Sequence, residues 1–353
     1  MKHCVCFLAV LLMVSANCWT LDAQSSDDES KDFVPVDKVA QLIDSSTDQS
    51  INDGLNWLAA QQNEDGSLGT DRLLAGNTGV CGLAGLAFLS QGSTTNRGRY
   101  AENIRRCVGY LQTHFQPESG LFDNPNYQSS GPMYGHGFAT LFAAEVYGMS
   151  GTESLKPQLE KAVQLIVSTQ HESGGWRYQP NGQEADISVT VCQLMALRAA
   201  RNAGFFVPTA TVDKAVQYIR LCQNDNGGYC YRLDGPRDSG FARSAAALVG
   251  LQSAGIYKGA EIDKATRYLI DSKPSSGQLN ASYYYYGHYY AVQGMWQLGG
   301  ARWDVWYPSI RDELLGLQNS DGNWASRYSR EYATAMSLII LQIPNNLLPI
   351  FQR

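Results

Sequence analysis

The chain has 353 residues, 44% of them apolar, and carries 27 basic against 33 acidic side chains, a net charge of −6. Part of that excess is local: Asp22, Asp27, Asp28, Glu29 and Asp32 face only Lys31, which leaves the rest of the chain within a few charges of neutrality. Such a body has no electrostatic footprint for nucleic acid or for an anionic membrane surface.

The first residues read as an export signal. Lys2 and His3 precede an apolar run, Cys4–Val14, too short to span a bilayer but suited to a signal-peptide core, and small residues follow at Ser15 and Ala16. Cleavage after Ala16, or as late as Ala23, predicts an exported protein, periplasmic or secreted. A lipid anchor on Cys18 is the lesser alternative, because Asn17 stands where a small residue is wanted. No later stretch is apolar enough to be a membrane helix. Residues 24–36 read as a solvated acidic linker, and residues 37–353 as the folded domain. Five cysteines fall in that domain (Cys81, Cys107, Cys192, Cys222 and Cys230), an odd number with no Cys-x-x-Cys pair. They signal neither a zinc ribbon nor a disulfide framework, although Cys222 and Cys230 flank one turn and are placed to meet.

A glycine followed two residues later by a large apolar side chain recurs six times: Gly66/Leu68, Gly120/Phe122, Gly174/Trp176, Gly227/Tyr229, Gly277/Leu279 and Gly322/Trp324. The intervals are 54, 54, 53, 50 and 45 residues, and a Gln stands four residues before the glycine in every copy but the fifth, where Lys273 replaces it. Each glycine separates two helical patterns. The first of each pair is amphipathic, as in Leu155, Leu159, Ala162, Val163 and Ile166, and so has one wet face. The second, as in 79–89, 138–146 and 187–200, is apolar nearly all round and so is buried on most sides. Glycines at 92, 148, 204 and 255 are placed to end these helices. The pattern predicts an all-α fold of six helical hairpins, with six buried helices ringed by six amphipathic ones. That is an α6/α6 toroid, with an open α-solenoid as the alternative.

Lys161-Ala162 together with Gln170-His-Glu-Ser-Gly-Gly-Trp176 resembles the QW repeat of squalene and hopene cyclases. Over roughly residues 50–345 the chain is similar to the bacterial prenyltransferase/squalene oxidase repeat proteins, in a superfamily that also holds protein prenyltransferases and complement-type thioester domains. The resemblance implies a toroid with its site where the inner helices begin. It defines the fold better than the chemistry.

Three chemistries can be tested on the residues. Cyclases of this family protonate an alkene with an Asp-x-Asp-Asp-Thr motif. Here Glu184-Ala185-Asp186-Ile187-Ser188 keeps Asp186 as the candidate acid and Glu184 as a stand-in, but loses the third carboxylate. The competing reading of Asp186 is a helix N-cap. Zinc prenyltransferases hold their metal through Asp, Cys and His. Asp238 and His288 match, but Gly240 replaces the thiolate, so no metal and no cofactor are expected. The thioester motif is excluded, since Cys81-Gly82-Leu83-Ala84 lacks its Glu and Gln.

What remains is a candidate lining for the central cavity: Tyr134, His136, Arg243, Tyr286, His288, Tyr290 and Trp296. Aromatic faces with a few polar groups suit an isoprenoid or lipid-like ligand, and the competing reading is that they fill the core. The expectation is therefore an exported toroid that binds an apolar small molecule, or a partner protein segment, in its centre. An isoprenoid cyclase using Asp186 is the alternative.

Overall fold

The computed structural model describes residues 42–69, 74–126, 131–275, 277 and 283–352. The signal, the linker and the Cys18 anchor lie outside these residues. Twelve helices follow in order: α1 (Ser45–Ala60), α2 (Thr78–Ser90), α3 (Ala101–Thr113), α4 (Met133–Ser150), α5 (Lys156–Ser168), α6 (Ile187–Asn202), α7 (Thr209–Leu221), α8 (Phe241–Ser253), α9 (Ala260–Asp271), α10 (Tyr284–Leu298), α11 (Gly300–Leu317) and α12 (Arg330–Gln342). None of them is long and apolar enough to cross a membrane.

The even-numbered helices form the inner ring. Each packs on the next, and α12 packs back on α2. All run in the same direction: Gly79 meets Gly135 near the starts of α2 and α4, and Gly82 and Gly85 meet Phe138 and Phe142 further along. Close approach at glycine positions also joins α4 to α6, through Gly137 and Cys192, and α8 to α10, through Phe241 and Gly287. The ring closes as a toroid, so the open solenoid is excluded. Gln318 Nε2 donates to Ser50 O at 2.9 Å and Gln342 Nε2 to Ala87 O at 3.1 Å, joining the two ends of the chain.

The repeated Gln and Gly have a common mechanical role. Gln62, Gln170, Gln223 and Gln318 each donate from Nε2 to the carbonyl of their own turn glycine and to a carbonyl near the start of the next outer helix, between 2.7 and 3.3 Å. Gly174 has φ +101°, and a Cβ there would lie 2.1 Å from Lys214 O. No side chain fits that approach, which explains the glycine here and at 66, 120, 227 and 322. Where Lys273 replaces the Gln, its ammonium instead donates to Ser309 Oγ at 2.6 Å.

One expectation needs correction. Gly148 does not end its helix: α4 runs on to Ser150, and Gly151, at φ +61°, supplies the left-handed cap. The same helix begins at Met133, with Gly135 and Gly137 where α4 touches its neighbours.

The C-terminal segment crosses the end of the ring where the inner helices finish. Ile343, Leu348, Ile350 and Phe351 are buried. It is held by Asn345 Nδ2 donating to Ser90 O (3.3 Å), and its backbone by Ile350 N to Glu145 Oε2 (3.3 Å), Gln297 Nε2 to Phe351 O (2.5 Å) and Arg198 Nη2 to Gln352 O (2.5 Å). This strap forms the floor of the toroid.

Candidate functional site

The opposite end is the mouth, where all six inner helices start. Asp186 is the N-cap of α6, with its Oδ1 accepting from Ser188 N (3.0 Å) and Val189 N (2.9 Å). Its other oxygen is buried and lies 3.9 Å from Arg177 Nε. Burial raises this carboxyl to about 6, although the two amides, Tyr231 and Arg177 favour its charged form. Glu184 is exposed and pairs with Arg177. The two residues taken from the motif therefore differ: Asp186 is a desolvated acid serving as a cap, and Glu184 is a surface ion pair.

Around Asp186 a tyrosine cluster converges from both sides of the ring. Tyr134 on α4 and Tyr286 on α10 meet edge to face across the axis, with ring centroids 6.4 Å apart. Tyr178 lies 6.1 Å from Tyr134 and shares a 2.5 Å hydroxyl contact with Tyr231. Tyr134, Tyr178, Tyr231, Tyr286 and Tyr332 all keep partial solvent contact. Yet burial drives the hydroxyls of Tyr134, Tyr286 and Tyr332 well above the ordinary tyrosine value. These rings are packed closely at the mouth and keep some contact with solvent. Beneath them Phe138 and Tyr289 meet across the axis at 6.1 Å, and Tyr290 packs on both Tyr286 (4.8 Å) and Tyr289 (4.9 Å). These contacts occupy the axis, so the candidate site lies at the mouth and not in a deep central cavity.

The remaining candidates are elsewhere. His136 is fully buried, and its Nδ1 accepts from Phe122 N at 3.1 Å. That is the bond which Thr190 makes to Trp176 N (3.0 Å), Ser244 to Tyr229 N (2.9 Å) and Thr334 to Trp324 N (3.1 Å). His136 is thus a turn-holding side chain of the second repeat. Burial lowers it to about 4, so it is neutral and supplies no charge to the mouth. His288 occupies the equivalent place in the fifth repeat, packed on Tyr284 (4.4 Å) and Phe241 (5.2 Å), and burial lowers it to about 3. Its turn residue Leu279 lies outside the described residues. Arg243 donates to Tyr229 O at 2.8 Å and pairs with Asp238. Trp296 meets Trp303 edge to face, with ring centroids 4.9 Å apart, near the end of α10, towards the floor.

Several cluster members escaped the sequence reading: Tyr178, Tyr231, Tyr332, Ser188 and Cys192. The signal for Tyr178 and Tyr231 was their shared offset, each two residues beyond the aromatic that follows the turn glycine. The rim is also less charged than its arginine content suggests. Arg177, Arg232, Arg243 and Arg330 lie within 4.0 Å of Glu184, Asp234, Asp238 and Asp321 respectively. No group of three or more His, Cys, Asp or Glu side chains among the described residues is placed to hold a metal ion.

Inner helices that begin at a common mouth, within hairpins locked by Gln and Gly in four of the repeats, define a toroid of the terpene cyclase and prenyltransferase type. The chain belongs to the prenyltransferase alpha-alpha toroid domain family, whose model matches residues 80–280. It is 24% identical over 271 residues to a squalene–hopene cyclase of Zymomonas mobilis, spanning 73% of this chain but only 34% of that protein. The chain therefore spans about a third of the length of that relative. Among solved structures it is similar to the type II terpene cyclase MstE from Scytonema in complex with geranylgeranyl dihydroxybenzoate, with a TM-score of 0.60 and 14% identity over 86% of this chain and 98% of that one. It is also similar to an α-1,6-mannanase of Salegentibacter in complex with α-1,6-mannotriose, with a TM-score of 0.65 and 8% identity over 85% and 99%.

Proposed function

We propose that this chain is an exported, non-cyclising toroid that binds an isoprenoid or lipid-like molecule in the mouth recess. The carrying observation is the convergence of Tyr134 and Tyr286 from opposite sides of the ring, beside the buried Asp186. Ring faces there offer apolar contact, while tyrosine hydroxyls and one buried carboxyl offer hydrogen bonds. Arg177, Arg232, Arg243 and Arg330 are paired with acids and Arg327 lies over Tyr283 and Tyr328, so the favoured head group is polar and hydroxyl-bearing. The weak squalene–hopene cyclase relative and the geranylgeranyl ligand of the Scytonema protein favour an isoprenoid tail.

Cyclisation requires the whole polyene to be enclosed away from water, and the rings across the axis leave the recess shallow. The cyclase reading is supported by one feature, a carboxyl raised to about 6 that is partly protonated near neutral pH. Incubation with squalene and with geranylgeraniol, followed by mass analysis of the products, separates the two. The protein is expected to bind and return both unchanged. A cyclised product that disappears in Asp186→Asn would replace binding with catalysis.

A further inference from the structure

The fourth repeat contains a cysteine pair that the fold brings together. Cys222 caps α7 and Cys230 follows the Gly227-Gly228 turn. Cys230 N donates to Cys222 O at 2.9 Å, Asn224 N donates to Gly228 O at 2.8 Å, and Gln223 and Tyr229 form the antiparallel bridge between these bonds. Cys222 N turns back to Tyr218 O and Ile219 O, so one ladder bond joins the two cysteines, while their thiols lie within hydrogen-bond reach of each other; residues directly opposed in such a bridge have Cα atoms about 4.5–5.5 Å apart, and a disulfide spans about 4.4–6.8 Å. In the first, third and sixth repeats the same two positions hold Gln61 and Gly69, Thr169 and Arg177, and Leu317 and Ala325. The pairing is thus a feature of this turn and not of the repeat. Arg237 adds a third element, since its guanidinium donates to Cys230 Sγ at 3.2 Å and to Leu221 O and Gln223 O at 3.0 and 3.1 Å, holding the turn shut.

We propose that Cys222 and Cys230 form an intrachain disulfide when the chain folds in an oxidising compartment. The step is thiol–disulfide exchange with a dithiol oxidoreductase in its oxidised form. One cysteine thiolate attacks the oxidant's disulfide and expels a thiolate, and the second cysteine thiolate then attacks the mixed disulfide. Both cysteines lose a proton, one S–S bond forms, and the oxidant leaves as its dithiol with the two electrons. Both side chains are fully buried in the fold. Exchange therefore precedes burial, and the finished bond is shielded from reductant. The bond would fix the backbone entering Tyr231, which touches both Tyr178 and Asp186 at the mouth.

The test uses the full chain secreted into an oxidising compartment, alkylated in denaturant without reductant and cleaved after Arg and Lys. Both cysteines then lie in a single peptide, Leu221–Arg232. The expected peptide carries no alkyl group and lacks the mass of two hydrogens, and it takes up two alkyl groups once reduced. A Leu221–Arg232 peptide alkylated at both positions before reduction, or either cysteine linked to Cys81, Cys107 or Cys192, would overturn the proposal. The readout is independent of ligand binding, and it needs no variant to fold.

Discussion

The two ends of the toroid are built from the same six helices and are finished in opposite ways. At the floor, the polar side chains of the inner helices (Glu145, Arg198 and Gln297) are spent on the backbone of the strap, and Ile350 and Phe351 fill the space between them. At the mouth, polar side chains meet one another. Tyr178 meets Tyr231, Asp186 faces Arg177, and Tyr290 keeps a buried hydroxyl with no hydrogen-bond partner among the described residues. A region whose hydrogen bonds close on its own backbone is structural. A region of recessed rings and under-used hydroxyls is suited to accept something else.

Substitutions at the floor should therefore cost stability, and those at the mouth should cost binding. The largest effect is expected from Phe351→Ala, which empties a packed site and should destabilise by about 3–5 kcal/mol, read by denaturant unfolding. A loss below about 1 kcal/mol would mean that the strap is not part of the core.

Glu145→Gln comes next. Burial raises the Glu145 carboxyl to about 8 from an unfolded value of 4.5. The folded state then binds the proton more tightly, so wild-type stability should be fullest below about pH 4.5 and decline as pH rises towards 8. The Gln variant keeps the acceptor for Ile350 N and should lose that decline, ending more stable than wild type at pH 8–9 by on the order of 2–4 kcal/mol. Parallel melting profiles for the two proteins would contradict the assignment.

Asp186→Asn probes the mouth by the same logic. The raised carboxyl predicts a smaller loss of wild-type stability between about pH 3.8 and 6 that the variant lacks. The amide oxygen still caps α6, so the variant should be more stable than wild type at pH 7 by on the order of 1–3 kcal/mol. A collapse of the fold would assign Asp186 to structure alone.

The smallest stability effect, with the largest binding effect, is expected from Tyr286→Phe. Removing one recessed hydroxyl should shift unfolding by less than about 1 kcal/mol, while titration with geranylgeraniol should show at least a severalfold weaker affinity.

The fold was legible because its construction repeats. Gln170, Gly174 and Trp176 are visible in the sequence, and the bonds they make explain why they recur. The site was only partly legible. Tyr134 and Tyr286 lie on different repeats, and only closure of the ring makes α4 and α10 face each other. His136 was misread because histidine at a helix start suggests chemistry. Aligning the repeats puts it in register with Thr190, and the shared bond shows its role. The strap left no trace in the pattern, since Ile343–Phe351 has no helical or strand period and is held by single bonds to four helices.

The most direct test of the mouth as a binding site is mass spectrometry of organic extracts from the protein purified out of its native source, beside the Tyr134→Ala/Tyr286→Ala variant purified in the same way. The account expects a defined isoprenoid or lipid, bearing a polar hydroxylated head, in the wild-type extract and its absence from the variant, with equal helical content in both. The same molecule in both extracts, or none in the wild type, would contradict it.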